Sequence, residues 1–272
     1  MLSVQGGAAL AKDMFPALGP ANTVTLRIVL SALVLGLVFR PRIHQITAAQ
    51  WRIVIPYGVI LALMNLTFYL ALARIPLGLA VTVEFTGPLA VAVLGSRRAQ
   101  DFLWVLLAIT GIALIAPWHT SRNIDPVGVL LALVAAVGWA SYILVGARVS
   151  RAIPAGPGVA IGMLVASAVI LPIGLAHHVL SQLTFRLLVE GLGVAILSSA
   201  LPYSFEMIAL RSIPAKTFGI LMSLEPAIGA LSGLLLLRER LSSAQWTAVL
   251  LVMAASAGAT WASKKAEVFV EA

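Results

Sequence analysis

Residues 83–91 read VEFTGPLAV, in which Glu84 and Pro88 interrupt an otherwise apolar run. Proline has no backbone N–H, so the carbonyl of Glu84 would lose its helical partner and the helix is expected to kink or unwind there. A charged side chain at the centre of a bilayer costs about 2.5–3.5 kcal/mol even on the lenient insertion scale. Such a stretch fits a membrane helix only where it faces protein or a wet cavity.

The composition predicts a membrane protein. Of the 272 residues, 61% are hydrophobic and 10% are charged, and the mean hydropathy of +1.04 is far above that of a soluble domain. The apolar residues form runs of the length that α-helices need to cross about 30 Å of hydrocarbon, without the alternation of a β-barrel. Ten spans are predicted: Leu2–Leu18, Val24–Phe39, Ile53–Ala73, Leu77–Gly95, Phe102–Trp118, Val127–Ala147, Gly158–Val179, Leu187–Leu210, Thr217–Leu237 and Gln245–Ala262.

The basic residues predict how the chain is oriented in the lipid bilayer. With the N-terminus inside, eleven Lys and Arg residues fall in inner loops and the tail and five in outer loops, which places both termini in the cytoplasm. Topology therefore explains the net charge of +8. Since these residues do not cluster with aromatic residues on a soluble face, nucleic acid is not expected as a partner.

The chain contains an internal repeat. A shift of 138 residues superimposes Pro76 on Pro214 and Pro88 on Pro226, so that VEFTGP and SLEP occupy equivalent places. Five spans in each copy force the second copy to cross in the opposite sense, as in many secondary transporters. The prediction is an all-α membrane protein with ten transmembrane helices in two inverted-topology repeats, divided as residues 1–118, 126–263 and a cytoplasmic tail, 264–272.

The first helix is shorter than its counterpart. At a shift of 136, Met1 aligns with Val137, whereas the sixth span begins ten residues earlier, at Val127. Either residues are missing before Met1 or the helix is short in the native protein.

Polar side chains inside the spans predict a binding site. Ser199, Tyr203 and Glu206 are spaced by four and three residues and share one helix face. Asn65 matches Tyr203 in the other repeat, and Tyr69 follows one turn later, so a central cavity shared by the halves is expected. The candidate substrate- and proton-binding residues are Glu206, Glu84, Tyr203, Glu225, Asn65, Tyr69, Gln5 and Arg27.

Two structural alternatives stay open. Arg27 or Lys12 could neutralise Glu84 or Glu225 as a purely structural pair. Trp139 and Tyr142 lie deep in their span and could belong to the cavity or to the packing.

Three residues are predicted to break helices beside the cavity. Gly87 and Glu225 each precede a proline, which disfavours helical backbone angles. Gly87, Pro88 and Pro226 are therefore assigned to helix breaks with a gating role. Gly229 and Gly233 form a GxxxG pattern, which is typical of helix packing.

No pattern predicts an enzyme, a metal site or a cofactor. The four histidines fall at span edges or in loops without HExxH spacing, and the chain has no cysteine. A P-loop is also missing, which argues against ATP-driven pumping within this chain.

Four segments resemble a known family. SVQGGAALAK (3–12), FYLALARIPLGLAVTVEFTGPLAV (68–91), VAILSSALPYSFEMIALRSIP (194–214) and TFGILMSLEPAIGALSG (217–233) are similar to the ten-helix EamA-type carriers of the drug/metabolite transporter superfamily, and within it to bacterial threonine/homoserine exporters. The resemblance implies an inner-membrane protein that exports small amino acids, driven by the proton gradient. The short first helix and the tail AEVFVEA depart from the family pattern.

The residues suggest how such a carrier would work. The three glutamates would accept the ammonium of an amino acid, while Arg27 and the amide and hydroxyl groups would bind its carboxylate. Competition between a proton and the ammonium for one carboxylate would couple antiport, with Glu206 favoured as this carboxylate and Glu84 second. The alternatives are export of another small metabolite or drug, and a non-coupled channel or scaffold; the oligomeric state is not predicted.

Overall fold

The computed structural model describes residues 2–94, 99–115, 124–202 and 223–268. Within these ranges the regular structure is helical and no β-strand occurs. The α-helices are α1 (Leu2–Asp13), α2 (Phe15–Phe39), α3 (Ala48–Leu72), α4 (Leu77–Glu84), α5 (Thr86–Leu94), α6 (Ala99–Ile115), α7 (Pro126–Ala152), α8 (Ala155–Ala176), α9 (Val179–Gln182), α10 (Phe185–Ala195), α11 (Glu225–Leu236) and α12 (Ser243–Val268). A 3₁₀ turn spans Ile43–Gln45, and a π-helical turn, Ile196–Ala200, continues α10.

The helices have the apolar exterior of a membrane protein. Four of them, α2, α3, α7 and α8, are long and apolar enough to cross a bilayer, and shorter apolar helices accompany them. Large apolar side chains point outward, among them Leu37 at 73% exposure and Val137 at 68%. Water would penalise such a surface, whereas lipid would not. The all-α membrane class is therefore confirmed, and the count of ten spans stays a prediction.

The boundary predicted after Leu18 lies at a kink, and residues 20–23, which were expected to be a loop, are helical. The structure assigns Leu2–Asp13 to α1 and Phe15–Phe39 to α2, with non-helical backbone inside α2 at Gly19. A kink at Gly19 accommodates this course: its φ of 73° is open to glycine at little cost, and Pro20 follows it directly.

The predicted fourth span is interrupted at one residue. Helix α4 ends at Glu84 and α5 begins at Thr86, while the N–H of Phe85 still bonds to the carbonyl of Val81 at 2.9 Å. The carbonyl of Glu84 has no donor at Pro88, as the sequence predicted. The break therefore falls one residue after Glu84.

The prediction of non-helical backbone at Gly87 and Glu225 is wrong. Gly87 and Pro88 lie in the first turn of α5, and Glu225 and Pro226 open α11. The first turn of a helix tolerates proline because its N–H groups have no partner there in any case. Each proline therefore lies in the first turn of a helix.

Small residues let the two halves approach closely. A Cβ at Gly87 would collide with the carbonyl oxygen of Ala136 in α7, and one at Gly78 would lie 2.5 Å from Cα of Ala230 in α11. A Cβ at Gly229 would lie 3.1 Å from the side chain of Val81, which confirms the helix packing predicted for that glycine. Helices α4 and α5 are thereby held against α7 and α11.

Candidate functional site

A cavity of about 110 Å³ lies between helices of both halves of the chain. At roughly 10–15 Å³ for each water, it has room for several water molecules or one small ligand. Its wall includes five of the side chains predicted from the sequence: Gln5, Arg27, Asn65, Glu84 and Glu225.

The fold explains how these five side chains meet. Gln5, Arg27 and Asn65 project from the interiors of α1, α2 and α3. Glu84 is the last residue of α4, and Glu225 is the first residue of α11. The end of α4 and the start of α11 thus bring one carboxylate each to the same space.

Arg27 is held in place by two neighbours. Its Nη2 donates a hydrogen bond to Oδ1 of Asn65, and its Cζ lies 5.0 Å from the ring centroid of Tyr69, a cation–π contact. Asn65 is fixed in turn, because its Nδ2 donates to the carbonyl of Leu61 at 2.7 Å. Among the described residues no acceptor meets Nε of Arg27, which is only 6% exposed. The guanidinium is therefore oriented and keeps an unused donor.

The two carboxylates differ in their surroundings. Glu225, 3% exposed, accepts a hydrogen bond from Nε2 of Gln5 at 2.6 Å. Glu84 is 8% exposed, and none of the described side chains donates a hydrogen bond to it or forms an ion pair with it within 4.0 Å. An ionised Glu84 would therefore have no described neighbour that compensates its charge by direct contact.

The structural alternative that assigned Lys12 to these acids is wrong. The ammonium of Lys12 lies 2.7 Å from Oε1 of Glu239 and also donates to the carbonyl of Ile75 at 2.9 Å. Oε2 of Glu239 accepts the N–H of Leu77, the first residue of α4, at 2.8 Å. This cluster, Lys12, Ile75, Leu77 and Glu239, ties the end of α1 to the α3–α4 turn and to the α11–α12 turn, and we call it the terminal latch.

An apolar layer lies beside the terminal latch. Tyr69, Leu72 and Leu77 are fully buried, and the rings of Tyr69 and Phe15 are 5.9 Å apart. Tyr69 is thus in the packed layer next to Arg27 and is not part of the cavity wall described above. This layer is formed by residues of α2, α3 and α4.

Two predicted residues cannot be placed. Tyr203 and Glu206 lie outside the described residues, although Pro202, which immediately precedes them, lines the cavity.

Other cavity residues were left open or missed by sequence reasoning. Trp139 and Tyr142, spaced by three on α7, both line the cavity, and Trp139 packs edge-on against Phe85 with ring centroids 5.6 Å apart. Ser198 lines it too, whereas the sequence placed Ser199 on the polar face. The π-helical turn explains this difference, because its extra residue rotates the helix face that α-helical spacing predicts. No signal in the sequence marks that turn.

A second ion pair links the halves outside the cavity. Nη1 of Arg74 lies 2.6 Å from Oδ2 of Asp125, the N-cap of α7, and both side chains are partly exposed. The hydrogen bond from Arg74, and then the one from the N–H of Val127, hold the pKa of Asp125 below its ordinary value. Asp125 therefore stays ionised near neutral pH and is unsuited to carry a proton.

Known proteins similar to this chain are transporters. The chain is 45% identical over 267 residues, 97% of its length and 90% of the relative's, to the threonine/homoserine exporter RhtA of Escherichia coli strain K12. The RhtA protein of Salmonella typhimurium strain LT2 is 44% identical over 96% of this chain and 88% of its own. The uncharacterized transporter YwfM of Bacillus subtilis is 24% identical over 75% of this chain.

The fold also matches a solved structure. A crystal structure with 19% sequence identity aligns with a TM-score of 0.62 and covers 98% of both chains, which supports the fold alone. The model of the EamA-like transporter family matches residues 126–261, and the similarity to the RhtA proteins extends through the first half. This chain is therefore a membrane protein of the EamA-like transporter family, and not an enzyme.

Proposed function

We propose that this chain exports threonine and homoserine across the bacterial inner membrane in exchange for protons. The observation that carries the proposal is the cavity in which Arg27 faces the same space as Glu84 and Glu225. An amino acid is a zwitterion, so its site needs groups of both charges in a place that excludes bulk water. The RhtA relatives, which are threonine/homoserine exporters, supply the substrate class.

Arg27 is proposed to bind the substrate carboxylate. A guanidinium presents its donors in a planar fork that matches a carboxylate. The contacts from Asn65 and Tyr69 hold this fork in position, so that less conformational freedom is lost when substrate binds.

Glu84 is proposed, among the described residues, to bind the substrate ammonium or a proton, but not both at once. With no described cation or donor at contact distance, an ionised Glu84 is costly inside the membrane, and either ligand would neutralise it. Because Glu84 would bind only one of the two ligands at a time, export of the amino acid would be coupled to entry of a proton. Glu206, which the sequence favoured, is the competing assignment and is tested beside Glu84.

The inverted repeat and the ten spans are proposed as the architecture of this exchange. If each span is replaced by its counterpart in the other half, the contact of α3 with α7 becomes the contact of the π-helical turn with α1, and both contacts are present. In the same way, the contact of α3 with α8 becomes that of α10 with α2. The contacts α2–α8, α4–α11 and α6–α12 each correspond to themselves. This pattern supports a pseudo-twofold axis that passes close to the cavity.

Alternating access is proposed to open the two ends of the cavity in turn. The terminal latch and the apolar layer beside it support a closed end where α1 stops and α4 begins. The positive-inside distribution supports assigning that end to the outside and both termini to the cytoplasm. Export would then require the terminal latch to separate.

Counterflow in vesicles tests the transport proposal. Vesicles loaded with unlabelled threonine should transiently accumulate labelled threonine, and a panel of unlabelled competitors then ranks the substrates. A channel would equilibrate label without overshoot. The aromatic wall formed by Trp139, Tyr142 and Phe68 favours one second candidate, export of a larger and more apolar metabolite. Competition by such compounds, but not by threonine or homoserine, would support that candidate instead.

A further inference from the structure

The π-helical turn Ile196–Ala200 contains two serines whose hydroxyls have no hydrogen-bond partner in the part of the chain that the structure describes. Elsewhere in the described helices, buried hydroxyls donate to the carbonyl four residues earlier: Thr23 to Gly19, Ser31 to Arg27 and Thr82 to Gly78, at 2.6–2.7 Å. The hydroxyls of Ser198 and Ser199 are buried and make no bond to any described group. The wider register of the π turn removes the usual partner.

Only one of these two serines lines the cavity. Ser198 forms part of its wall together with Gln5, Arg27 and Glu84, whereas Ser199 is fully buried outside it. Gly7 leaves the space that the Ser198 hydroxyl occupies, since a Cβ there would collide with its Oγ. A buried hydroxyl without a partner costs free energy, and π turns occur often at functional sites.

We infer that Ser198 is the subsite that recognises the side-chain hydroxyl of the substrate, an inference that rests on the proposed function. Arg27 and the glutamates are assigned to the charged ends of the amino acid, which leaves the side chain to the remaining wall. The Ser198 hydroxyl lies against Gly7, and we infer that it turns to another staggered rotamer about the Cα–Cβ bond to meet a ligand in the cavity. The hydrogen bond that Ser198 lacks would form when a hydroxylated substrate binds.

The chemistry of the two proposed substrates provides a sharp probe. Threonine carries its hydroxyl on Cβ and homoserine on Cγ, and removing the hydroxyl from either gives the same compound, 2-aminobutyrate. A site that hydrogen-bonds a substrate hydroxyl discriminates against the analogue that lacks it. The ratio of threonine to 2-aminobutyrate transport therefore measures the subsite independently of the zwitterion contacts.

The test compares Ser198→Ala with Ser199→Ala in reconstituted vesicles. In Ser198→Ala the threonine to 2-aminobutyrate ratio should fall about threefold to tenfold, the value of one hydrogen bond. In Ser199→Ala it should stay at the wild-type value. Because an unpartnered buried hydroxyl contributes no hydrogen bond, its removal should be nearly neutral for folding, and both variants should insert normally.

A cysteine variant measures binding instead of transport. The chain has no cysteine, so Ser198→Cys supplies a single thiol for a small methanethiosulfonate reagent. Threonine should slow its modification by occupying the cavity, and because a thiol hydrogen-bonds only weakly, 2-aminobutyrate should slow it to a similar degree.

An unchanged ratio in Ser198→Ala, or a rate of Ser198→Cys modification that threonine does not slow, would overturn the subsite while leaving threonine export intact. If the wild-type protein transports neither threonine nor homoserine, the proposed function fails, and the subsite fails with it.

Discussion

The ammonium of Lys12 in the first half of the chain lies 2.7 Å from Oε1 of Glu239 in the second half. The other oxygen of Glu239 accepts the N–H of Leu77, so a single carboxylate holds α1 and the start of α4 together. These contacts join the halves at one end of the helix bundle, next to the apolar layer around Tyr69. The terminal latch is therefore the natural element to separate when that end opens.

Cross-linking the terminal latch should stop transport. The chain has no cysteine, so a Lys12→Cys/Glu239→Cys double variant can be joined specifically by a short cross-linker that forms disulfide bonds. The cross-linked protein should lose most of its threonine counterflow, and a reducing agent should restore it. The physical reason is that a covalent link prevents the two turns from separating. Counterflow before and after reduction is the measurement.

A matched pair controls for cross-linking itself. Arg74→Cys/Asp125→Cys replaces an ion pair of similar length that also joins the halves, but α3 and α7 pack along their lengths and are expected to move together. This variant should remain active when cross-linked. Full activity of the cross-linked Lys12/Glu239 variant would show that the terminal latch does not open.

Glu84→Gln should uncouple transport from protons. The amide cannot ionise, so a pH gradient should no longer drive threonine accumulation and the exchange that remains should lose its dependence on pH. Glu190→Gln is the control, because Glu190 pairs with Arg186 outside the cavity described above. If Glu84→Gln keeps gradient-driven accumulation and Glu206→Gln loses it, the proton site belongs to Glu206.

Arg27→Lys should weaken substrate binding even though the charge is kept. Lysine cannot form the planar fork of hydrogen-bond donors that Asn65 and Tyr69 orient. Because a hydrogen bond to a charged group is worth about 1.5–3 kcal/mol, the half-saturating threonine concentration should rise roughly 10- to 100-fold. The dependence of the counterflow rate on threonine concentration measures this half-saturating value. An unchanged value would remove Arg27 from the binding site.

Gly87→Ala should destabilise the protein. The added methyl would meet the carbonyl oxygen of Ala136, a backbone atom that cannot turn aside, and overpacking of this kind costs about 1–3 kcal/mol. Gly193→Ala is the control, since a Cβ at that helical position meets nothing within 4 Å and should be neutral or stabilising. Melting temperatures in detergent compare the two, and equal values would contradict the packing argument.

Much of the site followed from the sequence because buried polar residues in membrane helices are costly and therefore informative. On that ground Gln5, Arg27, Asn65, Glu84 and Glu225 are predicted, and they lie around one cavity. Tyr69 is also predicted for the cavity, but the structure places it in the packed layer beside the cavity, next to Arg27.

The remaining features depend on information that residue spacing does not carry. The π turn at Ile196–Ala200 and the helical course of residues 20–23 arise from how neighbouring helices pack, so the position of Ser198 and the start of the second span were missed. The partner of Lys12 is set by tertiary structure, 227 residues away along the chain. Local propensity also failed at Gly87 and Glu225, where the first turn of a helix accommodates the following proline.

The most direct test of proton-coupled export is threonine movement driven by a pH gradient alone. Proteoliposomes with an acidic lumen and an alkaline exterior should accumulate labelled threonine above its external concentration, because protons leave as threonine enters. Nigericin in potassium buffer should abolish the accumulation, as should Glu84→Gln. Threonine that only equilibrates across the membrane, with or without the gradient, would contradict proton antiport.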